Sequence, residues 1–142
     1  MAYKPAQATP SDTISLIRYL FRELQRIGQE FYSIAPQDWL LVGDSGGTYD
    51  FINGWVNDSS YPLQYRLCRD KVEIRGRIKD GSSGSSQIFT LPEKYRPLYT
   101  VSIPVTASGN PSCRVAINSS GAVILSNGSA TWSALDGVSF II

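Results

Sequence analysis

Acids, aromatic rings and thiols are the residues from which this chain could build chemistry. Histidine is not among them, since the 142 residues contain none. That excludes a Ser-His-Asp triad, a Cys-His pair and a His-ligated zinc. Cleaving a sugar bond would need two carboxylates set across it. The candidates Asp38, Asp44, Asp50, Asp58, Asp70, Glu73, Asp80, Glu93 and Asp136 are scattered, and several adjoin Gly or Asn. In that setting Asp usually closes turns through local hydrogen bonds. Gly43 to Gly47 has the glycine content of a phosphate loop but no Gly-Lys-Ser/Thr ending. Cys68 and Cys113 lie 45 residues apart without a CxxC spacing, so one chain cannot make a four-thiolate metal site. Buried free thiols are the expected state, with a disulfide as the alternative. The expectation is a chain that is not an enzyme, with no metal site and no cofactor.

Binding is easier to assemble. Sugars stack on aromatic faces and hydrogen-bond to Asn, Asp and Ser, and Trp55, Tyr61, Tyr99 and Trp132 could supply such faces. Trp132, with Tyr95, is expected instead in the core or at a subunit seam, where aromatic rings bury large area. Trp55 and Tyr61 flank the turn Asn57-Asp58-Ser59-Ser60 and are the candidate glycan contacts. Asn57, Asn118 and Asn127 each open a glycosylation sequon, a match expected by chance in Asn/Ser-rich turns.

Charge narrows the partners. Thirteen Lys plus Arg against twelve Asp plus Glu give a net charge of +1, which makes no electrostatic case for nucleic acid or an anionic membrane. No stretch approaches the ~18 consecutive apolar residues of a membrane span, and the opening MAYKPAQATP has no apolar run of the signal-peptide kind. A soluble protein made in a reducing compartment is expected. Residues 81–142 hold only Glu93, Lys94, Arg96, Arg114 and Asp136 as charges. Five charges in 62 residues are thin cover for a monomer, so that surface is expected either to pair with other copies or to bind neutral polar ligands.

The elements that must carry these residues follow from periodicity. Residues 1–10 read as an extended arm. Thr9 can cap a helix, with Pro10 at its first position and Asp12 at its positive end. Over residues 11–35, Ile17, Leu20, Leu24, Ile27, Phe31 and Ile34 step by 3, 4, 3, 4 and 3. That is the a/d seam of a coiled coil, and Leu16 and Phe21 at g and e widen it beyond a two-stranded stripe. A helix of about 24 residues would be ~36 Å long, more than a compact small domain needs. Self-association is the expectation, with a lone amphipathic helix packed on its own domain as the alternative.

From Trp39 onward the period is two. Lys71 to Lys79 alternates cleanly, with Val72, Ile74, Gly76 and Ile78 on one face and Glu73, Arg75, Arg77 and Lys79 on the other. Gly76 in the inward row predicts a bend or a close approach. Asp80 to Ser86 reads as a flexible loop. Further strands are predicted over 65–68, 87–91, 98–106, 113–118, 122–125 and 137–142, with Asn118-Ser119-Ser120-Gly121 as a hairpin turn. Short, regularly spaced strands suggest an all-β sandwich or barrel over residues 36–142.

Several of these segments, taken in order, resemble the head domains of bacteriophage tail-fibre and related virion structural proteins. Val72-Glu73-Ile74-Arg75-Gly76-Arg77-Ile78 is similar to their V-x-L-x-G-x-I strand. Ile88 to Pro97 is similar to their F-x-L-P-x-x-Y-R-P corner. Arg114-Val115-Ala116-Ile117 with Gly121-Ala122-Val123 is similar to a hairpin, and Trp132 to Phe140 to the closing W-x-x-L-d-G-i-s-F. The resemblance covers roughly residues 55–142, and the Arg18–Ile27 stretch is similar to the openings of small phage structural proteins. It implies a mainly β protein with a C-terminal, jelly-roll-like β-sandwich head, an N-terminal helix forming a trimeric coiled coil, and an arm that docks on other virion proteins. No fibre shaft is present in the sequence. The implied role is a short homotrimeric tail-fibre or spike-like appendage that attaches to host surface glycan. A capsid decoration or tail adaptor is the alternative. Either would be assembled in the bacterial cytoplasm and end in the virion.

Overall fold

The computed structural model describes residues 13–43 and 49–142, with residues 28–34 described by their backbone only. The arm, the expected cap at Thr9 to Asp12, residues 44–48 of the glycine-rich turn, and the side chains of Phe31 and Ile34 lie outside the described residues. The chain divides into two units, Met1–Ala35 and Pro36–Ile142.

The first unit contains one helix, α1 (Thr13–Ile34). Its helical period is the one read from Ile17, Leu20, Leu24 and Ile27. These side chains are 48%, 51%, 66% and 53% exposed, far from the burial such residues normally reach. Arg26 pairs with Glu23 at 2.9 Å on the helix surface, an exposed contact of little energetic weight. No described helix is long and apolar enough to cross a membrane.

The second unit is built of strands. They are β1 (Leu40–Leu41), β2 (Val56–Asn57), β3 (Gln64–Cys68), β4 (Lys71–Arg75), β5 (Arg77–Lys79), β6 (Gly84–Thr90), β7 (Val101–Pro104), β8 (Thr106–Ala107), β9 (Arg114–Ile117), β10 (Ala122–Gly128), β11 (Ser133–Ala134) and β12 (Val138–Ile141). They form three antiparallel sheets of four strands, in the orders β1-β3-β4-β12, β6-β10-β9-β7 and β2-β5-β11-β8. The chain is therefore mainly β, as its alternation predicts. Alternate residues of β4, β9, β10 and β12 point into one core that includes Val72, Ile74, Val115, Ile117, Val123, Leu125, Val138 and Phe140. Tyr65 of β3 stacks on Phe89 of β6 with centroids 6.1 Å apart, so the first two sheets meet there.

Four expectations need correcting. The strand expected over 71–79 is two strands. Gly76, at φ +113, passes the chain from the β3-β4-β12 sheet to the β2-β5-β11 sheet. Pro62 lies so near that a Cβ on Gly76 would stand 2.2 Å from its carbonyl oxygen. The strand expected over 98–106 is likewise two, β7 and β8. The expected flexible loop at 80–86 is not free: Gly81 is buried, and its missing side chain makes room for the indole of Trp55, which a Cβ there would meet at 1.9 Å. Trp55 Nε1 donates to Ser86 Oγ at 2.9 Å, and Ser86 Oγ donates to the Ser82 carbonyl at 3.1 Å. Trp55 itself, expected as an exposed contact, is only 2% exposed.

The hairpin at Asn118 forms as read. Its Oδ1 accepts from the Ser120 and Ala122 backbone N–H groups, each at 3.1 Å, and from the Ser120 hydroxyl. The Leu91–Pro97 corner clasps this turn. Leu91 N–H donates to the Gly121 carbonyl at 2.8 Å, and Arg96 Nε donates to the Leu91 carbonyl at 2.9 Å. Cys113 is a buried free thiol and Cys68 a half-buried one. Burial pushes the Cys113 thiol pKa up, which suppresses the reactive thiolate. The sequon residue Asn57 is a clamp. Its Oδ1 accepts from the Leu63 N–H at 2.7 Å, and its Nδ2 donates to the Val42 carbonyl at 3.0 Å.

Candidate ligand-binding site

The break at Gly76 sets up the site. Its N–H donates to Asp136 Oδ1 at 2.9 Å, and its carbonyl accepts from the Leu135 N–H at 2.9 Å, so the β11–β12 connection is tied to the joint. Arg77 follows on β5, a strand flanked by β2 on one side and β11 on the other. Each neighbour brings a ring. On the β2 side, Asp58 N–H donates to the Arg77 carbonyl at 3.1 Å, and Arg77 N–H donates to the Tyr61 carbonyl at 2.7 Å. The intervening turn is closed by Asp58 Oδ1, which accepts from the Ser60 N–H at 3.0 Å. On the β11 side, Ala134 pairs with Arg77, and Trp132 lies two residues back on the same face. The small Ala134 leaves the space above Arg77 to that indole.

The guanidinium consequently lies 5.0 Å from the Tyr61 ring centre and 4.8 Å from that of Trp132. Two clefts meet at this cluster. One, of about 410 Å³, is lined by Arg77, Trp132, Asp136, Thr106, Pro104 and Val105 with Ala134. The other, of about 270 Å³, is lined by Tyr61, Arg75, Gln64, Ser60, Pro62 and Asp136 with Gly76. Asp136 lines both. Aromatic faces, a guanidinium and a carboxylate at adjoining clefts can stack a sugar ring and bond its hydroxyls. Tyr61 is 57% exposed and open to a ligand.

Of the two residues singled out from sequence, Tyr61 sits in the cluster. Trp55 does not, because Gly81 and Ser86 take its ring inward. Trp132, assigned from sequence to the core or a seam, is half-buried and forms a cleft wall. Arg77 and Asp136 were not singled out. No local spacing points to them, because the pairing of β5 with β11 is what brings Arg77 and Asp136 together.

Two other surfaces compare with it. A cleft of about 520 Å³ lined by Ser83, Gly84, Asn110, Pro111, Ser112, Asn127, Gly128 and Ser129 is mostly polar and offers no aromatic ring for stacking. An apolar groove of about 520 Å³ runs between β7 and β12, lined by Leu98, Tyr99, Val101, Ile103, Phe140, Ile141 and Ile142 with Ser139. Leu98 and Tyr99 are 75% and 78% exposed there. Both strands are sheet edges, the kind of surface that proteins normally cover.

The acids use their oxygens locally where the structure shows it, Asp58 in its turn and Asp136 on Gly76. Among the described residues, no group of three or more His, Cys, Asp or Glu is placed to hold a metal ion.

No protein-family model matches this sequence, and no curated protein sequence matches it. A solved structure does: the receptor binding protein (gp15) of Listeria phage PSA, at 20% identity and a TM-score of 0.62. The match covers 98% of this chain and 80% of that one. At that identity the likeness is one of fold, and the chain shares its fold with a phage receptor binding protein.

Proposed function

We propose that this chain is a virion protein of a bacteriophage that attaches the particle to a saccharide on the host surface. The observation that carries the reading is the Tyr61–Arg77–Trp132–Asp136 cluster at two open clefts, on a fold shared with a receptor binding protein. The role is binding, not catalysis.

The assembly is a homotrimer, a short tail-fibre or spike-like appendage. The exposed a/d face of α1 supports self-association, since a 3.5-residue apolar repeat left in water is stabilised by copies of itself. The apolar groove at β7 and β12 offers the heads a second contact. The meeting of Tyr65 and Phe89 across two sheets supports a jelly-roll-like sandwich for the head. The arm, residues 1–10, docks on other virion proteins. Three weak sites on one stem raise the effective concentration of the second and third at a host surface, so avidity exceeds single-site affinity by orders of magnitude.

The test is binding of the full chain to host cells and to their isolated surface polysaccharide. Saturable binding is expected, with Y61A and W132A each reducing affinity at least about tenfold, on the scale of a lost aromatic contact, and with melting temperature little changed. A chain that binds neither cells nor polysaccharide would instead be a capsid decoration or tail adaptor, with the apolar groove covered by another virion protein.

A further inference from the structure

We propose that the saccharide carries an oxyanion, a phosphodiester or a carboxylate, seated on the guanidinium edge of Arg77, which makes Arg77 the residue that sets ligand charge. This rests on the attachment reading of the same site.

Charge is unbalanced along the outer row of β4 and β5. Of the row Glu73, Arg75, Arg77 and Lys79, Glu73 has an ionic partner, Arg66 at 3.1 Å. Among the described residues, Arg75, Arg77 and Lys79 make no ion pair. Arg75 is otherwise engaged, donating from Nε to Gln64 Oε1 at 2.9 Å and lying 4.0 Å from the Trp39 ring centre. Arg77 differs. Its side chain has two ring contacts and no hydrogen-bond acceptor among the described residues.

Guanidinium carries five N–H donors in a fixed fork. The rings of Tyr61 and Trp132 hold that fork in place, so little rotamer freedom remains to be lost when a ligand arrives. The acceptor that fits it best is a planar or tetrahedral oxyanion bound through two oxygens. Charge around the clefts agrees: their walls carry Arg75 and Arg77 against the single carboxylate of Asp136. Asp136 also limits the ligand. Oδ1 already accepts from Gly76, and the carboxylate repels a second anion while accepting a sugar hydroxyl. A polymer with one oxyanion per repeat suits the site, and a densely charged polyanion does not.

The experiment titrates the full chain with three soluble polymers: a neutral glucan, a phosphodiester-linked polyol bearing sugar side groups, and a polysaccharide with one uronate per repeat. It is run beside the host surface polysaccharide before and after chemical removal of its acidic groups. At least one anionic polymer is expected to bind about tenfold or more above the neutral glucan, the scale of one charged hydrogen-bonded contact. That preference should shrink as salt is raised. The phosphodiester and uronate arms tell the two oxyanions apart. R77Q should erase the preference, read as the ratio of anionic to neutral binding in the same variant, and R77K should keep only part of it, because a point charge cannot make the fork. If R77Q does not fold, the salt dependence and polymer ratio of the unaltered chain still decide. Equal binding of neutral and anionic polymers, or a host polysaccharide bound as well after its acids are removed, overturns the oxyanion and leaves attachment standing. Binding to no saccharide at all overturns both.

Discussion

Replacing Gly76 with alanine perturbs the joint on which the site depends, and the structure gives the scale of the effect. At φ +113 an L-residue is strained, by about 1–3 kcal/mol for such sparsely populated backbone. The new Cβ would stand 2.2 Å from the Pro62 carbonyl oxygen, 2.6 Å from its carbonyl carbon and 2.7 Å from Leu63 Cα. All three are backbone atoms, which cannot rotate aside as a side-chain tip would. Relief requires moving the 61–63 segment or the joint itself. Either motion strains the Arg77 N–H bond to the Tyr61 carbonyl or the Gly76 N–H bond to Asp136, each about 1–3 kcal/mol when its partner is left buried and unpaired. A loss of roughly 4 kcal/mol follows from those two contributions. Gly109 is the control: it has φ +73 and nothing within 4 Å of its would-be Cβ. G109A should cost only the left-handed penalty, about 1–2 kcal/mol. Thermal unfolding of the full chain at one fixed protein concentration separates the two. For a unit of this size each kcal/mol moves the midpoint by about 4–8 °C, so G76A should melt at least about 10 °C below G109A. Equal midpoints would refute the claim that Pro62 backbone, and not φ alone, reserves position 76 for glycine.

The other expectations are briefer. W55A should cost about 3–5 kcal/mol, the range for truncating a buried ring, while leaving saccharide affinity intact in the cold; lost affinity at unchanged stability would restore Trp55 as a contact. Burial, with Tyr95 and Tyr49 nearby, pushes the Tyr65 phenol from 10.0 up to about 12. The unfolded chain therefore ionises first as pH rises. The contribution is complete below pH 10 and is lost between pH 10 and about 12, by no more than about 3 kcal/mol. Y65F should flatten that alkaline decline, and an unchanged slope would count against a protonated, buried phenol. Sedimentation equilibrium should give three times the 15.6 kDa chain mass, and L24D should return it to one; a monomeric parent chain would remove the trimer.

How much of this was legible in the sequence differs by element. The helix was, because a 3.5-residue repeat leaves few other foldings. The alternation of β4 and β5 was, but their separation was not. Val72, Ile74, Gly76 and Ile78 are all buried, so the in-out pattern runs unbroken through a point where the strand changes sheets. Gly76 signalled that something happens there without saying what. Trp55 was misplaced because its burial depends on Gly81 and Ser86, contacts that no local window contains. The candidate cluster has the same character. Tyr61, Arg77, Trp132 and Asp136 converge only after β5 has paired with both β2 and β11. Until strand order is known, Trp132 can be assigned to the core as readily as to a cleft.

The captured Gly81 to Ser86 stretch has a practical consequence. By composition it is the obvious place to cut the chain, graft a peptide or fuse a tag. Its backbone is instead threaded past an indole and continued directly into β6, which begins at Gly84. Ser82 to Ser85 are exposed, but Gly81 is buried against the Trp55 indole, so an insert at Gly81 would unseat that ring. Cargo is better carried at Ser119-Ser120, both exposed at the tip of a hairpin whose pairing can re-form around an insert.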